Sequence, residues 1–133
     1  MSEPLVTIRF DGNGRTYHPG ETLAGEYRFE SLPAAEIKAV EVSVLWYTEG
    51  KGDEDMAVHA FWRLNAEDGT TLDPAQPQHF NTVLPNSPLS YDGLIVKLRW
   101  CVRVRAFLHR GKELLGEKAF RLGDLPPAKA AAP

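Results

Sequence analysis

Residues 94–108 alternate with a period of two. Leu94, Val96, Leu98, Trp100, Val102, Val104, Ala106 and Leu108 share one parity, while Lys97, Arg99, Cys101, Arg103, Arg105 and Phe107 share the other. A helix would mix the two sets around its surface, whereas a strand sends them to opposite faces. The run therefore predicts a long strand with one apolar and one wet face. The same period returns in 37–48, where Val40, Val42, Val44 and Trp46 alternate with Ala39, Glu41, Ser43 and Leu45. Shorter candidates lie at 4–10, 23–31, 57–65, 79–84 and 114–122.

Turn chemistry separates these runs. Asp11-Gly12-Asn13-Gly14 follows the first, Pro19-Gly20 precedes the second, and Glu49-Gly50-Lys51-Gly52-Asp53-Glu54-Asp55 stands between the third and fourth. Asp73-Pro74-Ala75-Gln76-Pro77 precedes the fifth, and Arg110-Gly111-Lys112-Glu113 reads as the hairpin connection before the last. Seven strands at this spacing, with no amphipathic helix, predict an all-β, immunoglobulin-like antiparallel β-sandwich. Trp46, Trp62 and Trp100 all have even parity and read as core, with Trp46 and Trp100 packing across the sandwich.

The 133 residues suffice for one domain with a sizeable core. We assign 1–125 to the sandwich and 126–133, Pro-Pro-Ala-Lys-Ala-Ala-Ala-Pro, to a disordered tail. A net charge of −3 gives no overall pull toward nucleic acid or an anionic membrane. No run approaches the roughly 20 apolar residues of a membrane-spanning helix, and Met1-Ser2-Glu3-Pro4 lacks the pattern of a secretory leader. A single cysteine, Cys101, excludes an intramolecular disulfide and suits the cytoplasm.

The most concentrated charge is on the odd face of the long strand. Lys97, Arg99, Arg103 and Arg105 could hold an acidic partner or a phosphate group; alternatively they pair with carboxylates of neighbouring strands such as Glu26, Glu30 or Glu41. The loop with Lys51, Asp53, Glu54 and Asp55 forms a candidate contact tip beside that face. Its three consecutive acids do not have the spacing of an EF-hand loop. His18, His59, His79 and His109 lack the spacing of a local zinc site, although His59 and His79 have odd parity in separate strands. Cys101 between Arg99 and Arg103 would be an activated thiol if exposed, and a small packing residue if not. Ser43, Ser87 and Ser90 have no nucleophile elbow around them, and Ser90 suits a turn.

Two stretches carry a family resemblance. Tyr17, Pro19, Gly20, Glu21, Leu23 and Gly25 stand in the order of an arrestin N-domain motif. Leu84, Pro85, Pro88, Ser90, Tyr91, Asp92 and Gly93, followed by Val96 to Val104, are similar to the same family's approach to a sandwich-crossing strand. The chain thus resembles one N-terminal-type arrestin sandwich, whereas full arrestins carry two. The resemblance implies a non-catalytic scaffold or protein-binding module that needs no cofactor or metal. It also implies a protein partner, with either a second copy, as a homodimer, or that partner standing in for the missing half. Pro126-Pro127 leads into Ala128-Lys129, so no Pro-Pro-x-Tyr docking motif follows. Two other classes remain open: a metal-dependent or enzymatic module built on His59 and His79 or on Asp53–Asp55, and a phosphate-polymer or nucleic-acid binder. The acidic net charge disfavours nucleic acid.

Overall fold

The computed structural model of the chain describes residues 3–12, 16–52, 54–66 and 73–128. Its strands are β1 (Leu5–Phe10), β2 (Thr16–Tyr17), β3 (Thr22–Glu30), β4 (Ile37–Gly50), β5 (Met56–Asn65), β6 (Gln78–Val83), β7 (Tyr91–Asp92), β8 (Val96–Leu108) and β9 (Glu113–Leu122). The seven long strands coincide with the seven alternating runs. The two-residue strands β2 and β7 are too short to leave a period. No helix among the described residues is long and apolar enough to cross a membrane.

The strands form two layers. A small sheet has the order β1-β3-β6, and a larger one has the order β2-β9-β8-β4-β5, with β7 also on β8. Pairing is antiparallel except between β2 and β9. The even residues of β4 and β8 face inward: Val40, Val42, Val44, Trp100, Val102, Val104 and Ala106 are buried against Ile8, Leu23, Tyr27, Phe29 and Phe80 of the small sheet. This is the arrestin-like β-sandwich that the sequence implies.

The two resemblance motifs meet as a clasp. Gly20 N donates to Leu84 O at 3.0 Å, and Leu84 N donates to Glu21 O at 2.9 Å. The second motif is then tied to β9: Ser90 N donates to Leu122 O, and Leu122 N donates to the buried Ser90 Oγ, both at 2.8 Å. Tyr17 packs edge-on against Phe10 and Phe120, with ring centroids 6.3 and 5.8 Å away. Gly25 sits where a Cβ would fall 2.3 Å from Arg9 O and 2.9 Å from Phe80 Cζ. Only glycine lets β3 pass that close, which is the close approach expected of it. These motifs build the framework.

Three expectations need correction. The long strand begins at Val96; Leu94 and Ile95 are 67% and 68% exposed in the turn before it. Trp46 and Trp100 do not face each other across the sandwich but are cross-strand partners within one sheet. Trp100 is 1% exposed and donates from Nε1 to Pro88 O at 2.8 Å. Trp62 is not core: it lies on edge strand β5, is 36% exposed, and leans on Phe80 at 6.5 Å.

The two sides of the sandwich differ. On one side β1 packs on β9, where Gly116 leaves room for Val6; a Cβ there would come within 2.7 Å of the valine. On the other side stand β5 and β6, each pairing on one edge only among the described residues.

Candidate binding surface

The strand registers arrange the outer face of the large sheet in rows. From β9 to β5 these run Leu115–Arg105–Glu41–Arg63, Glu117–Arg103–Ser43–Phe61 and Ala119–Cys101–Leu45–Val58; a fourth row runs Arg99–Tyr47–Met56 from β8 to β5. The four cations singled out on β8 do share this face. They stand among carboxylates: Arg103 Nε donates to Glu117 Oε1 at 2.7 Å, and Arg99 Nε donates to Glu49 Oε2 at 2.8 Å with Asp92 at 4.0 Å. Arg105 Nε lies 3.7 Å from Glu113 Oε2 and has no hydrogen-bond partner among the described residues. Lys97 is exposed, and no carboxylate among the described residues is within ion-pair distance of it.

The partners differ from those expected. Glu26 and Glu30 are on β3 in the other sheet, and Glu41 holds Arg63. The sequence pattern shows which residues share a strand face, but the carboxylates that reach β8 are set by the order of strands in the sheet. Arg121 Nη1 donates to Asp92 Oδ2 at 2.9 Å, and this bond, with the charges of Arg121, Arg99 and Lys97, holds the Asp92 carboxyl below its usual range. The Glu49 carboxylate raises Arg99 further. Arg63 and Arg105 stack over Phe107, at 5.4 and 6.0 Å from its ring centre.

Cys101 is not an exposed thiol. It is 2% exposed, and burial, reinforced by Glu117 and opposed by Arg103, pushes its pKa up to about 11. It is a small packing residue beside Leu45.

At the tip, Lys51 N donates to Ile95 O at 3.3 Å and its side chain is exposed. Thr48 N donates to Asp55 O at 2.9 Å and Asp55 N to Thr48 Oγ1 at 2.8 Å, while Glu54 is exposed. Asp53 lies outside the described residues, as do 129–133 of the C-terminal segment; Ala128 N donates to Asp92 O at 2.9 Å.

His59 and His79 have separate surroundings. His59 Nε2 is 2.8 Å from Val83 O and 3.3 Å from Thr82 Oγ1, bridging β5 to β6. His79 lines a cavity of about 380 Å³ with Tyr27, Val42, Trp62, Leu64 and Phe80, to which His59 does not contribute. No group of three or more His, Cys, Asp or Glu residues among those described is placed to hold a metal ion.

The sequence reading missed the exposed apolar strip of β5: Met56, Val58 and Phe61 are about half exposed on the same outer face. A signal was present. In the 57–65 run Ala57 and Phe61 share the odd parity with a single charge, Arg63, whereas the odd set of 94–108 holds four cations, so no strongly charged face marks this strand.

No protein-family model matches the chain, and no curated protein matches it in sequence. Among solved structures it is similar to Spo0M, a sporulation control protein from Bacillus subtilis, with a TM-score of 0.65 and 16% identity over 94% of this chain and 51% of that one. It spans about half the length of Spo0M. A superoxide reductase (neelaredoxin) from Ignicoccus hospitalis is similar with a TM-score of 0.53 and 10% identity, over 90% of this chain and 80% of that one. At these identities the likeness is one of fold, and it agrees with the arrestin-type sandwich.

Proposed function

We propose that the chain is a non-catalytic scaffold or regulatory module of the cytoplasm. In this reading it holds a protein partner on the outer face of its large sheet, through Lys97, Arg99, Arg103 and Arg105 with the adjoining tip at Lys51 and Asp53–Asp55. It also self-associates. The observation that carries the reading is the charge ladder itself. Arg99 and Arg103 are hydrogen-bonded to carboxylates, Arg105 stands beside one, and all three stay partly solvent-accessible, so a partner meets a partly ordered set of donors and acceptors at a reduced cost in side-chain entropy. Fold likeness to a sporulation control protein supports a regulatory role. The near balance of charge in the ladder favours a partner surface of mixed sign over a polyanion.

The test is affinity capture from native lysate with wild type, with Arg99→Ala/Arg103→Ala/Arg105→Ala, and with Arg9→Ala/Arg28→Ala on the small sheet as control. A protein retained by wild type and control but lost by the triple variant is expected. Retention by all three would overturn the assignment of the face. Binding to nucleic acid or polyphosphate that weakens steeply with salt would favour the polyanion reading instead.

A further inference from the structure

Among the described residues no strand pairs with the outer edge of β5, and a bulge and one arginine are what guards it. Edge strands are commonly blunted by lysine, proline or brevity, yet β5 is ten residues long, contains neither residue, and has Arg63 as its one permanent charge. Its exposed large apolar side chains are Met56, Val58, Phe61 and Trp62, beside exposed His59 and Arg63. We propose that this edge pairs antiparallel with the same strand of a second copy, joining two large sheets into one. This names the surface for the self-association proposed above.

A β-bulge at His59 determines the register. Opposite β4, Val44 meets Ala60 and Leu45 meets Val58, so His59 has no partner residue and turns inward toward β6. On the C-terminal side of the bulge Phe61 and Arg63 point outward; on its N-terminal side Met56 and Val58 do. Ala57, Ala60 and Trp62 point inward, opposite Trp46, Val44 and Val42. A two-fold axis between His59 and Ala60 puts like with like. Val58 then meets Phe61 of the second copy, Ala57 meets its Trp62, Met56 its Arg63, and His59 its Ala60. A slip of one residue sets outward positions against inward ones at every pair except the residue on the axis, which meets itself. A slip of two places either Val58 opposite His59 or Ala60 opposite Phe61, again crossing the faces.

This register is complementary in size and charge. The large Trp62 faces the small Ala57 twice over. Arg63 lies diagonal to Glu54 of the second copy, within reach for a long side chain, and the two-fold repeats that pair. Glu54 is exposed and makes no hydrogen bond or ion pair with any described residue, while Arg63 bonds to Glu41 and Asn65. Such self-complementarity is what an isologous contact requires. A foreign strand would have to supply the same pattern by chance.

The area sets the strength. The exposed apolar side chains offer on the order of 300–400 Å² per copy, against about 800 Å² per partner in a standard stable interface. The paired backbone adds to this, and the dimer is weak and reversible, dissociating in the micromolar range.

Sedimentation equilibrium on the purified chain tests the proposal. Wild type should show a monomer–dimer equilibrium, and Phe61→Glu should weaken it at least about tenfold with an unchanged circular dichroism spectrum. The register is read independently by cysteines. Oxidised Val58→Cys/Phe61→Cys should form a covalent dimer, whereas Val58→Cys alone should not, because Val58 does not face itself; the buried Cys101 does not interfere. A wild type that stays monomeric up to about 500 µM, a Phe61→Glu variant that associates normally, or a single variant that links as well as the double one would each overturn the inference. None of these outcomes bears on capture of a partner by the β8 face.

Discussion

Ser90→Ala isolates the clasp. The Ser90 side chain is 3% exposed, and its Oγ accepts from Leu122 N at 2.8 Å at the end of β9. Removing the oxygen leaves an amide N–H without a partner beside the fully buried Leu122 side chain. Such an orphaned donor costs about 1–3 kcal/mol; the space vacated is smaller than a water molecule needs, so relief by solvent is poor. Taking about 2 kcal/mol for a domain of this size gives a fall in Tm of roughly 6–10 °C. The assay is urea unfolding beside Ser87→Ala, an exposed serine in the same loop whose loss should cost less than about 0.5 kcal/mol. The midpoint should fall for Ser90→Ala with the slope unchanged, and the Leu122 amide should lose protection from hydrogen exchange. Equal midpoints for the two variants would refute the view that this hydroxyl secures the clasp.

Gly25→Ala should destabilise by about 1–3 kcal/mol through overpacking, because the added methyl meets Arg9 O and the Phe80 ring; thermal unfolding reads the loss. Cys101 should resist aromatic disulfide reagents at neutral pH and react only on unfolding, since its thiol is buried with a pKa of about 11; stoichiometric labelling of the native chain within minutes would contradict that burial. Hydrogen bonds from the His18 side chain and backbone hold Glu21 below its ordinary value of 4.5. Because the folded pKa is the lower one, its contribution to stability is present above the unfolded value and is lost as pH falls through the folded one. Carboxyl NMR should show Glu21 titrating below 4.5, and His18→Ala should move it upward.

Alternation was enough to locate all seven long strands, because each presents one face to a core. It could not say where a strand lies within its sheet. That is why Trp62, on an inward position, is nonetheless exposed: β5 is at the edge and little covers it. The same limit hid the true partners of Arg99, Arg103 and Arg105, since Glu49, Glu113 and Glu117 become neighbours only once β8 lies between β4 and β9. Leu45 and Cys101 show the converse. They have the parity of the wet face, yet their place in the middle of the sheet leaves them nearly dry. The face of the bulge residue was beyond reach, because the inserted His59 resets the phase of its own strand.

The seam between β4 and β8 has a consequence for how the chain reaches this state. β8 and β9 are joined by a short turn, and β4 and β5 by the 51–55 tip, so each pair can zip from its connection outward. β4 and β8 meet only after the intervening β5, β6 and β7 have been laid aside, and theirs is the longest register among the described residues. Loop closure must therefore precede the contacts that reward it. Two hairpins should form early and wait, with their inner edges exposed, for a slow docking step. Until that step is complete, the strands that make the centre of the finished sheet are the ones most open to pairing with the wrong chain.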